Sequence, residues 1–258
     1  MSDRAAIAEA LDAAVRERRA LDAPFTDADP AFDVPAAYEV QREVVQKRID
    51  RGARLVGAKL GLTSKAKQRQ MNVDAPLYGR LTSDMALDPS GPVDLGAFIH
   101  VRAEPEVGFL IGREIAAPAT VATVLAATDF VFAAIELIDS RYDAFRFRLP
   151  DVVADNASSA GFVLGSVAVA PQDAGDLRLA GVVLRKDGVV VATAAGAAAL
   201  GHPAQSVAWL VNELAARGET LTPGSIVLSG ALTDAIPLTA GSVVTAEIEG
   251  LGSAEVRA

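Results

Sequence analysis

The sequence has no cysteine and, among its 258 residues, only two histidines and one tryptophan. Without cysteine the chain forms no disulfide, no thiolate metal site and no cysteine nucleophile. A disulfide-free chain fits a reducing compartment, and the N-terminal residues lack the basic stretch and apolar stretch of a secretory signal. We therefore expect a cytoplasmic protein.

Positive charge is also scarce, because 24 lysines and arginines face 33 aspartates and glutamates, for a net charge of −9. This balance predicts no general attraction to nucleic acid or to anionic membranes. A long stretch without formal charge, Val189–Asn212, is interrupted by glycine, proline and histidine, so no membrane span is expected. The 51% hydrophobic content is that of a globular protein with one large domain or two small ones.

The first 52 residues are predicted to form a small helical cap. Apolar residues recur at helical spacing in Ala6–Val15 and in Pro35–Ile49, and Gly52 follows as a stop signal. The segment between them, Ala23–Asp33, is rich in turn residues and predicts a loop. We place a domain boundary after this cap.

Residues 53–258 are predicted to form a β-rich domain, because short apolar runs bounded by glycine, proline and aspartate replace the helical patterns. The predicted strands are Arg54–Leu62, Phe98–Ile111, Phe130–Ile138, Gly161–Val169, Gly181–Arg185, Val189–Thr193, Ser225–Leu228, Ser242–Ile248 and Ser253–Arg257. The predicted helices are Ser64–Met71, Thr120–Thr128 and Pro203–Arg217. Lys186–Gly188 predicts a hairpin turn. The pattern indicates an α+β fold whose mixed, mainly β body is rolled on itself like a barrel, with flanking helices.

Two glutamates stand close together in one predicted strand. Glu104 and Glu106 are two residues apart, so their side chains point to the same face. Like charges so placed repel each other unless they are protonated or bridged by a cation. An exposed strand end is the alternative interpretation.

A third glutamate, Glu136, lies inside the almost continuous apolar run Phe130–Ile138. A lone ionised carboxylate buried there would be costly. Three carboxylates without cysteine and with few histidines suit a hard cation such as Mg²⁺ or Mn²⁺ rather than zinc.

One lysine, Lys59, lies in the apolar, glycine-flanked segment Arg54–Ser64. It either extends to solvent or turns inward, where it would hold an anionic substrate or donate a proton. The polar segment Asp151–Ser159, which includes Asp155, is either a capping loop or a pocket for a substrate carboxylate.

Six motifs occur along the chain in an order that is typical of one family. They are Gly57–Ala66, Arg102–Glu106, Glu136–Tyr142, Val153–Ser159, Leu200–Pro203 and Gly250–Ser253. From about residue 35 to the C-terminus, the chain resembles the hydratase/decarboxylase family of aromatic meta-cleavage pathways, within the fumarylacetoacetate hydrolase superfamily. The resemblance implies the superfamily's C-terminal-domain fold, a mixed β-roll behind a helical N-terminal segment.

The resemblance also implies the chemistry of the site. It implies a Mg²⁺ site, with Mn²⁺ also suited, at Glu104, Glu106 and Glu136, and an active-site lysine at Lys59. The substrate would be a small oxo-acid with two carboxylates. We expect a homo-oligomer, and a complex with a hydratase of the same pathway stays open.

Two sister activities share these motifs: hydration of 2-hydroxypenta-2,4-dienoate and decarboxylation of 2-oxo-3-hexenedioate (4-oxalocrotonate). Hydratases of the family usually have aspartate where this chain has Leu77, and Ser140–Phe147 also resembles the decarboxylases. The resemblance therefore favours decarboxylation, with hydration as the alternative. Leu77, Arg141, Asp155 and Ser159 are the candidate substrate contacts, and Arg141 would hold a carboxylate by two hydrogen bonds.

Two other classes of function remain open. A carbon–carbon hydrolase of the superfamily commonly uses a histidine–glutamate pair, but neither His100 nor His202 has an obvious partner in the sequence, and both are expected to be structural. A non-catalytic β-rich scaffold would leave Glu136 and Lys59 as unexplained charges in apolar runs.

Overall fold

The computed structural model describes residues 3–70 and 73–258. Its helices are α1 (Arg4–Glu17), α2 (Phe25–Ala28), α3 (Val34–Asp50), α4 (Lys65–Gln70), α5 (Val121–Ala127), α6 (Leu149–Ala154) and α7 (Pro203–Ala216). Its strands are β1 (Leu55–Gly61), β2 (Leu77–Thr82), β3 (Arg102–Ile111), β4 (Thr128–Ile138), β5 (Ser159–Leu164), β6 (Gly181–Lys186), β7 (Val189–Ala195), β8 (Ile226–Leu228), β9 (Ile236–Pro237), β10 (Val243–Ile248) and β11 (Gly252–Arg257). No described helix is both long enough and apolar enough to cross a bilayer.

The two predicted N-terminal helices are confirmed as α1 and α3. Each begins at an aspartate, because the side chain of Asp3 accepts hydrogen bonds from the first turn of α1 and that of Asp33 accepts one from Ala36 N at 2.9 Å. The segment Ala23–Asp33, predicted as a loop, contains the single turn α2.

The helical segment packs on the rest of the chain. Helix α3 contacts α1, α6 and β2. The side-chain amide of Gln41 donates hydrogen bonds to the carbonyls of Tyr78 at 3.0 Å and Val153 at 2.8 Å, and the rings of Tyr38 and Tyr78 stack at 4.6 Å. The predicted boundary after residue 52 falls between α3 and β1, but both sides share one core. The division into two domains stays a prediction.

The larger sheet has seven strands in the order β2-β1-β8-β3-β4-β5, with β9 paired to β3. Only the β1–β8 pair is parallel among the described strands, which confirms the predicted mixed sheet. The pair of β3 and β4 runs through the buried centre of this sheet and carries the three glutamates.

The smaller sheet has the order β11-β10-β6-β7, and β10 and β11 contact β4 of the larger sheet. The predicted turn at Lys186–Gly188 joins β6 to β7, where Asp187 (φ 54°) and Gly188 (φ 79°) have the positive φ angles of a tight hairpin. The two packed sheets with flanking helices confirm the α+β class.

Several predicted boundaries differ from the structure. Strand β3 begins at Arg102 rather than Phe98, and β5 ends at Leu164 rather than Val169. Met71, the last residue of one predicted helix, lies outside the described residues. The short elements β2, β9 and α6 were not predicted.

Candidate active site

Three glutamates meet on β3 and β4. Glu104 and Glu106 occupy alternate positions of β3 and so share a face, and the antiparallel register places Glu136 of β4 opposite Glu104. Carboxylate oxygens of all three lie within 4.8 Å of one another. All three side chains are buried, and no part of Glu106 or Glu136 is exposed to solvent. The arrangement predicted from the sequence is therefore present in the fold.

Two buried oxygens of this cluster have neither a hydrogen bond nor an ion pair within the described part of the chain. Glu106 Oε2 accepts a 2.6 Å hydrogen bond from Gly230 N, but Glu106 Oε1 and Glu136 Oε1 are buried without a donor. Burial of such unpaired oxygens costs folding free energy unless a cation or a hydrogen-bond donor contacts them.

The surroundings of Glu106 and Glu136 favour the protonated form of both side chains. Burial raises the pKa of Glu106 well above its ordinary value, and repulsion from Glu136 raises it further. Burial also raises the pKa of Glu136, to about 7, although the nearby Lys59 ammonium opposes this. A divalent cation would remove the repulsion and give the free oxygens a partner, so the donor set fits a hard metal ion.

The side chain of Lys59 turns inward from β1 and is 4% exposed. Its Nζ lies 2.9 Å from Glu136 Oε2 and donates a 2.9 Å hydrogen bond to the carbonyl of Ala157. Burial acts to lower the pKa of Lys59, but the charges of Glu136, Glu104 and Glu106 outweigh it and the pKa is raised. Lys59 is therefore a buried ammonium that stays charged beside the glutamates.

A cavity of about 150 Å³ opens beside the glutamate cluster. Its wall is mostly apolar and includes Leu62, Leu77, Phe145, Phe147, Val152 and Ala157. The charged residues of the described lining are Lys59, Lys67 and Glu104. An apolar cavity with a few converging charges is typical of a small-molecule site.

Part of the cavity wall has an unusual backbone. Leu62, Phe145, Ala157 and Ser158 all line the cavity, and all have φ between 55° and 57°. Residues other than glycine seldom adopt this left-handed conformation, which costs on the order of 1 kcal/mol or more. The hydrogen bond from Lys59 to the Ala157 carbonyl helps to hold one of these turns. Strained backbone of this kind clusters at functional sites.

Arg141 and Asp155 form a second buried pair, away from the described cavity lining. Arg141 Nε donates to Asp155 Oδ1, and Arg141 N donates to Asp155 Oδ2 at 3.1 Å. The guanidinium also donates to the carbonyls of Asp139 at 2.7 Å, Ser159 at 3.2 Å and Asp155. These bonds occupy the guanidinium. The predicted contact of Arg141 and Asp155 with a substrate carboxylate stays a prediction.

Comparison with known proteins identifies the family. Residues 51–257 match the family described as fumarylacetoacetate (FAA) hydrolase C-terminal. A 4-oxalocrotonate decarboxylase of Pseudomonas sp is 43% identical over 247 residues, which cover 96% of this chain and 94% of that protein. The chain belongs to the FAA hydrolase family.

Two further relatives of this FAA hydrolase family member are informative. A 2-keto-4-pentenoate hydratase of Paraburkholderia xenovorans (strain LB400) is 39% identical over 232 residues, which cover 90% of this chain and 86% of that protein. The solved structure of 4-oxalocrotonate decarboxylase from Pseudomonas putida G7, complexed with magnesium and adipate, has a TM-score of 0.94 and 39% identity, with 98% of this chain and 96% of that chain covered. The predicted family and fold are confirmed.

The remaining predicted residues of this family member lie in different surroundings. Leu77 lines the cavity. Ser159 is not part of that lining, and its hydroxyl lies 3.9 Å from Met85 Sδ. His202 accepts a hydrogen bond at its Nδ1 from Ala204 N at 2.9 Å, which caps α7 as a structural residue. The ring of His100 packs against that of Phe145 with centroids 4.7 Å apart and the planes tilted by 34°.

Two residues of the site were missed by the sequence analysis. Gly230 (φ 103°) donates its N–H to Glu106, and a Cβ there would lie 2.2 Å from Thr63 Oγ1, so this position requires glycine. Lys67 lines the cavity from α4, where its sequence context indicated only a short polar helix. No local pattern marks either residue, because their partners are distant in sequence.

Proposed function

We propose that this protein is a metal-dependent decarboxylase that converts 4-oxalocrotonate (2-oxo-3-hexenedioate) to 2-hydroxypenta-2,4-dienoate and CO₂. The observation that carries the proposal is the position of Leu77 in the cavity wall near Phe145 and Phe147. Hydration requires a group that orients or deprotonates water. Glu104 is the one acidic residue of the described lining, and it belongs to the metal cluster.

The metal of this proposal is Mg²⁺, held by Glu104, Glu106 and Glu136, and Mn²⁺ has the same ligand preference. When bound, the cation supplies Lewis-acid stabilisation of the negative charge that develops on the 2-oxo oxygen. Two observations support it: the free buried oxygens of the cluster and the magnesium complex of the Pseudomonas putida decarboxylase, which is similar to this chain.

Loss of CO₂ moves electrons along a conjugated path. The bond between C5 and the departing carboxylate breaks, its electron pair forms the C4–C5 double bond, and the C3–C4 double bond shifts to C2–C3. The 2-oxo oxygen takes the negative charge and is then protonated. The Lys59 ammonium, buried beside the cluster, provides a fixed positive charge for this dienolate. The apolar wall excludes water and disfavours the carboxylate that departs.

A hydratase is the second candidate function, because a 2-keto-4-pentenoate hydratase is 39% identical to this chain. Product analysis separates the two activities. With Mg²⁺ and 4-oxalocrotonate, we expect release of CO₂ and the ultraviolet band of the dienol. With 2-hydroxypenta-2,4-dienoate, we expect little or no 4-hydroxy-2-oxopentanoate. Rapid hydration without CO₂ release would reject the proposal.

A pair of variants at Leu77 tests the observation itself. Leu77→Asp places a carboxylate in the cavity wall, where it repels the dianionic substrate, whereas Leu77→Asn adds polarity of similar size without charge. We expect Leu77→Asp to reduce the rate of CO₂ release by about tenfold more than Leu77→Asn. Equal rates in the two variants would mean that Leu77 does not face the substrate.

A further inference from the structure

Lys67 is a cation of the cavity wall that the chemistry described above does not use. It extends from the short helix α4, and its side chain is 34% exposed. Its Nζ lies 3.4 Å from Asp234 Oδ1 and 3.9 Å from Glu104 Oε1. Asp234 is 93% exposed, so this ion pair is screened by water and weak. Lys67 is therefore available to a ligand at little cost.

The two lysines of the cavity differ in how closely their ammonium groups are paired. Lys59 is held by Glu136 and by the Ala157 carbonyl, at 2.9 Å each. When all three glutamates are ionised, they and Lys59 together carry two net negative charges, which a divalent cation would balance. Lys67 is then an additional positive charge in a mostly apolar wall. A dicarboxylate has one negative charge more than the corresponding monocarboxylate, and Lys67 is placed to meet it.

We propose that Lys67 binds the second carboxylate of the substrate and so selects dicarboxylates over monocarboxylates. This inference rests on the proposed function, because it concerns the substrate class of the same cavity. A half-exposed lysine suits the task, since a tight buried ion pair would stabilise the carboxylate that has to leave. Lys67 would thus give selectivity without strongly opposing the loss of CO₂.

A matched pair of inert ligands tests the inference by binding rather than by turnover. 2-Oxoadipate and 2-oxohexanoate have the same 2-oxo acid end and the same chain length, and they differ only in the second carboxylate. Neither has the double bond that decarboxylation needs. With Mg²⁺ at saturation, calorimetry should show that the unmodified protein binds 2-oxoadipate about tenfold more tightly, as expected for one charge-assisted hydrogen bond.

Three variants then locate the preference. Lys67→Met should weaken binding of 2-oxoadipate about tenfold and leave 2-oxohexanoate unchanged, and Lys67→Arg should keep most of the preference. Lys65→Met is the matched control, because Lys65 is an exposed residue of the same helix whose Nζ donates to Gln68 Oε1 at 3.0 Å. It should leave both affinities unchanged.

Unchanged binding of 2-oxohexanoate also shows that the Lys67 variant is folded. The inference is overturned if the unmodified protein does not prefer 2-oxoadipate, if Lys67→Met keeps the preference, or if it weakens both ligands equally. The proposed function fails by a different readout, namely the absence of CO₂ from 4-oxalocrotonate.

Discussion

Two clusters of buried charge in this protein differ in how completely their polar atoms are paired. The first joins Lys59 to Glu104, Glu106 and Glu136, and two of its carboxylate oxygens have no partner among the described residues. The second joins Arg141 to Asp155, whose carboxylate accepts from Arg141 Nε and Arg141 N. The first cluster is open to a cation and the second is closed.

This difference distinguishes a cluster that can bind a ligand from one that only stabilises the fold. A closed network of charges fixes the local fold and has nothing left with which to bind a ligand. An open one costs stability in the empty protein and gains it when a ligand completes it. Both clusters are buried and both contain ions of opposite sign, so burial and charge alone do not distinguish them. The unpaired oxygens do.

The largest effect is expected from Glu106→Gln, which removes a negative ligand of the open cluster. Even groups that only support a metal ligand cost about 10- to 100-fold in affinity when lost. We therefore expect Mg²⁺ affinity to fall more than about 100-fold and Mg²⁺-dependent activity to disappear. The metal-free variant should be at least as stable as the unmodified protein, because burial disfavours the ionised form of Glu106 and glutamine has no ionised form. Titration with Mg²⁺ and thermal unfolding measure both quantities, and full activity in excess chelator would contradict the assignment.

A smaller loss is expected from Lys59→Met, which keeps the length of the side chain and deletes its charge. Removal of one fixed stabilising group in an active site typically costs about 100- to 1,000-fold in turnover. Stability should change little, since Glu136 is able to take up a proton and, with the metal bound, has a cation beside it. A variant with the kcat of the unmodified protein would mean that Lys59 does not act on the substrate.

In the closed cluster, a substitution should reduce the stability of the fold and leave Mg²⁺ binding unchanged. Arg141→Met leaves Asp155 buried without its cation, which costs about 3–5 kcal/mol in the free energy of unfolding. Arg185→Met breaks the surface pair of Arg185 with Glu247 and should cost about 1 kcal/mol or less. Denaturant titration compares the two variants. Folded Arg141→Met should bind Mg²⁺ with unchanged affinity, and a large loss of that affinity would make the two clusters one unit.

The fold was largely predictable because its long elements have clear periodicity. Helix α7 and the strands that carry the glutamates were found from their apolar spacing. The strand β2 was missed because Gly79 interrupts it, and this glycine is required since a Cβ would lie 2.5 Å from the Asn156 carbonyl. Helix α6 was missed because Asp151 resembles a loop residue, whereas its carboxylate caps the helix and binds Thr26.

The site residues were predictable only where a charged residue lies in an apolar segment of the sequence. A charge in an apolar strand is conspicuous in the sequence, and this identified Glu136 and Lys59. Arg141 was predicted as a substrate contact from the family resemblance. Its pairing with Asp155 was not predicted, because Asp155 is fourteen residues away and the hydrogen bonds of Arg141 to carbonyls depend on the folded backbone. Lys67 was missed because a lysine in a polar helix is ordinary. The family resemblance gave the expected roles of the candidate site residues, and the structure gave their hydrogen bonds and ion pairs.

The smallest effect concerns pH, and it tests whether the two clusters are independent. Glu136 has an ordinary pKa of 4.5, which burial raises to about 7 in the folded metal-free protein. Between these values the folded protein holds a proton that the unfolded chain has released, so its stability falls as pH rises from about 4.5 to 7. Burial also raises the pKa of Asp155, from 3.8 to about 6. This group therefore also makes stability fall as pH rises, over the lower range from about 3.8 to 6.

A Mg²⁺ ion at the glutamate cluster would replace the protons of Glu106 and Glu136, whereas Asp155 is not a member of that cluster. At saturating Mg²⁺, stability should therefore no longer fall as pH rises from about 6 to 7. The fall in stability as pH rises toward 6, which is due to Asp155, should remain. Mg²⁺ affinity itself should rise with pH through about 7, because each bound ion displaces protons from Glu136 and Glu106. Urea midpoints across this pH range, with Mg²⁺ and with chelator, measure the effect. Parallel curves in the two conditions would show that the glutamates hold no such protons, and loss of the slope below pH 6 would show that the metal also acts on the closed cluster.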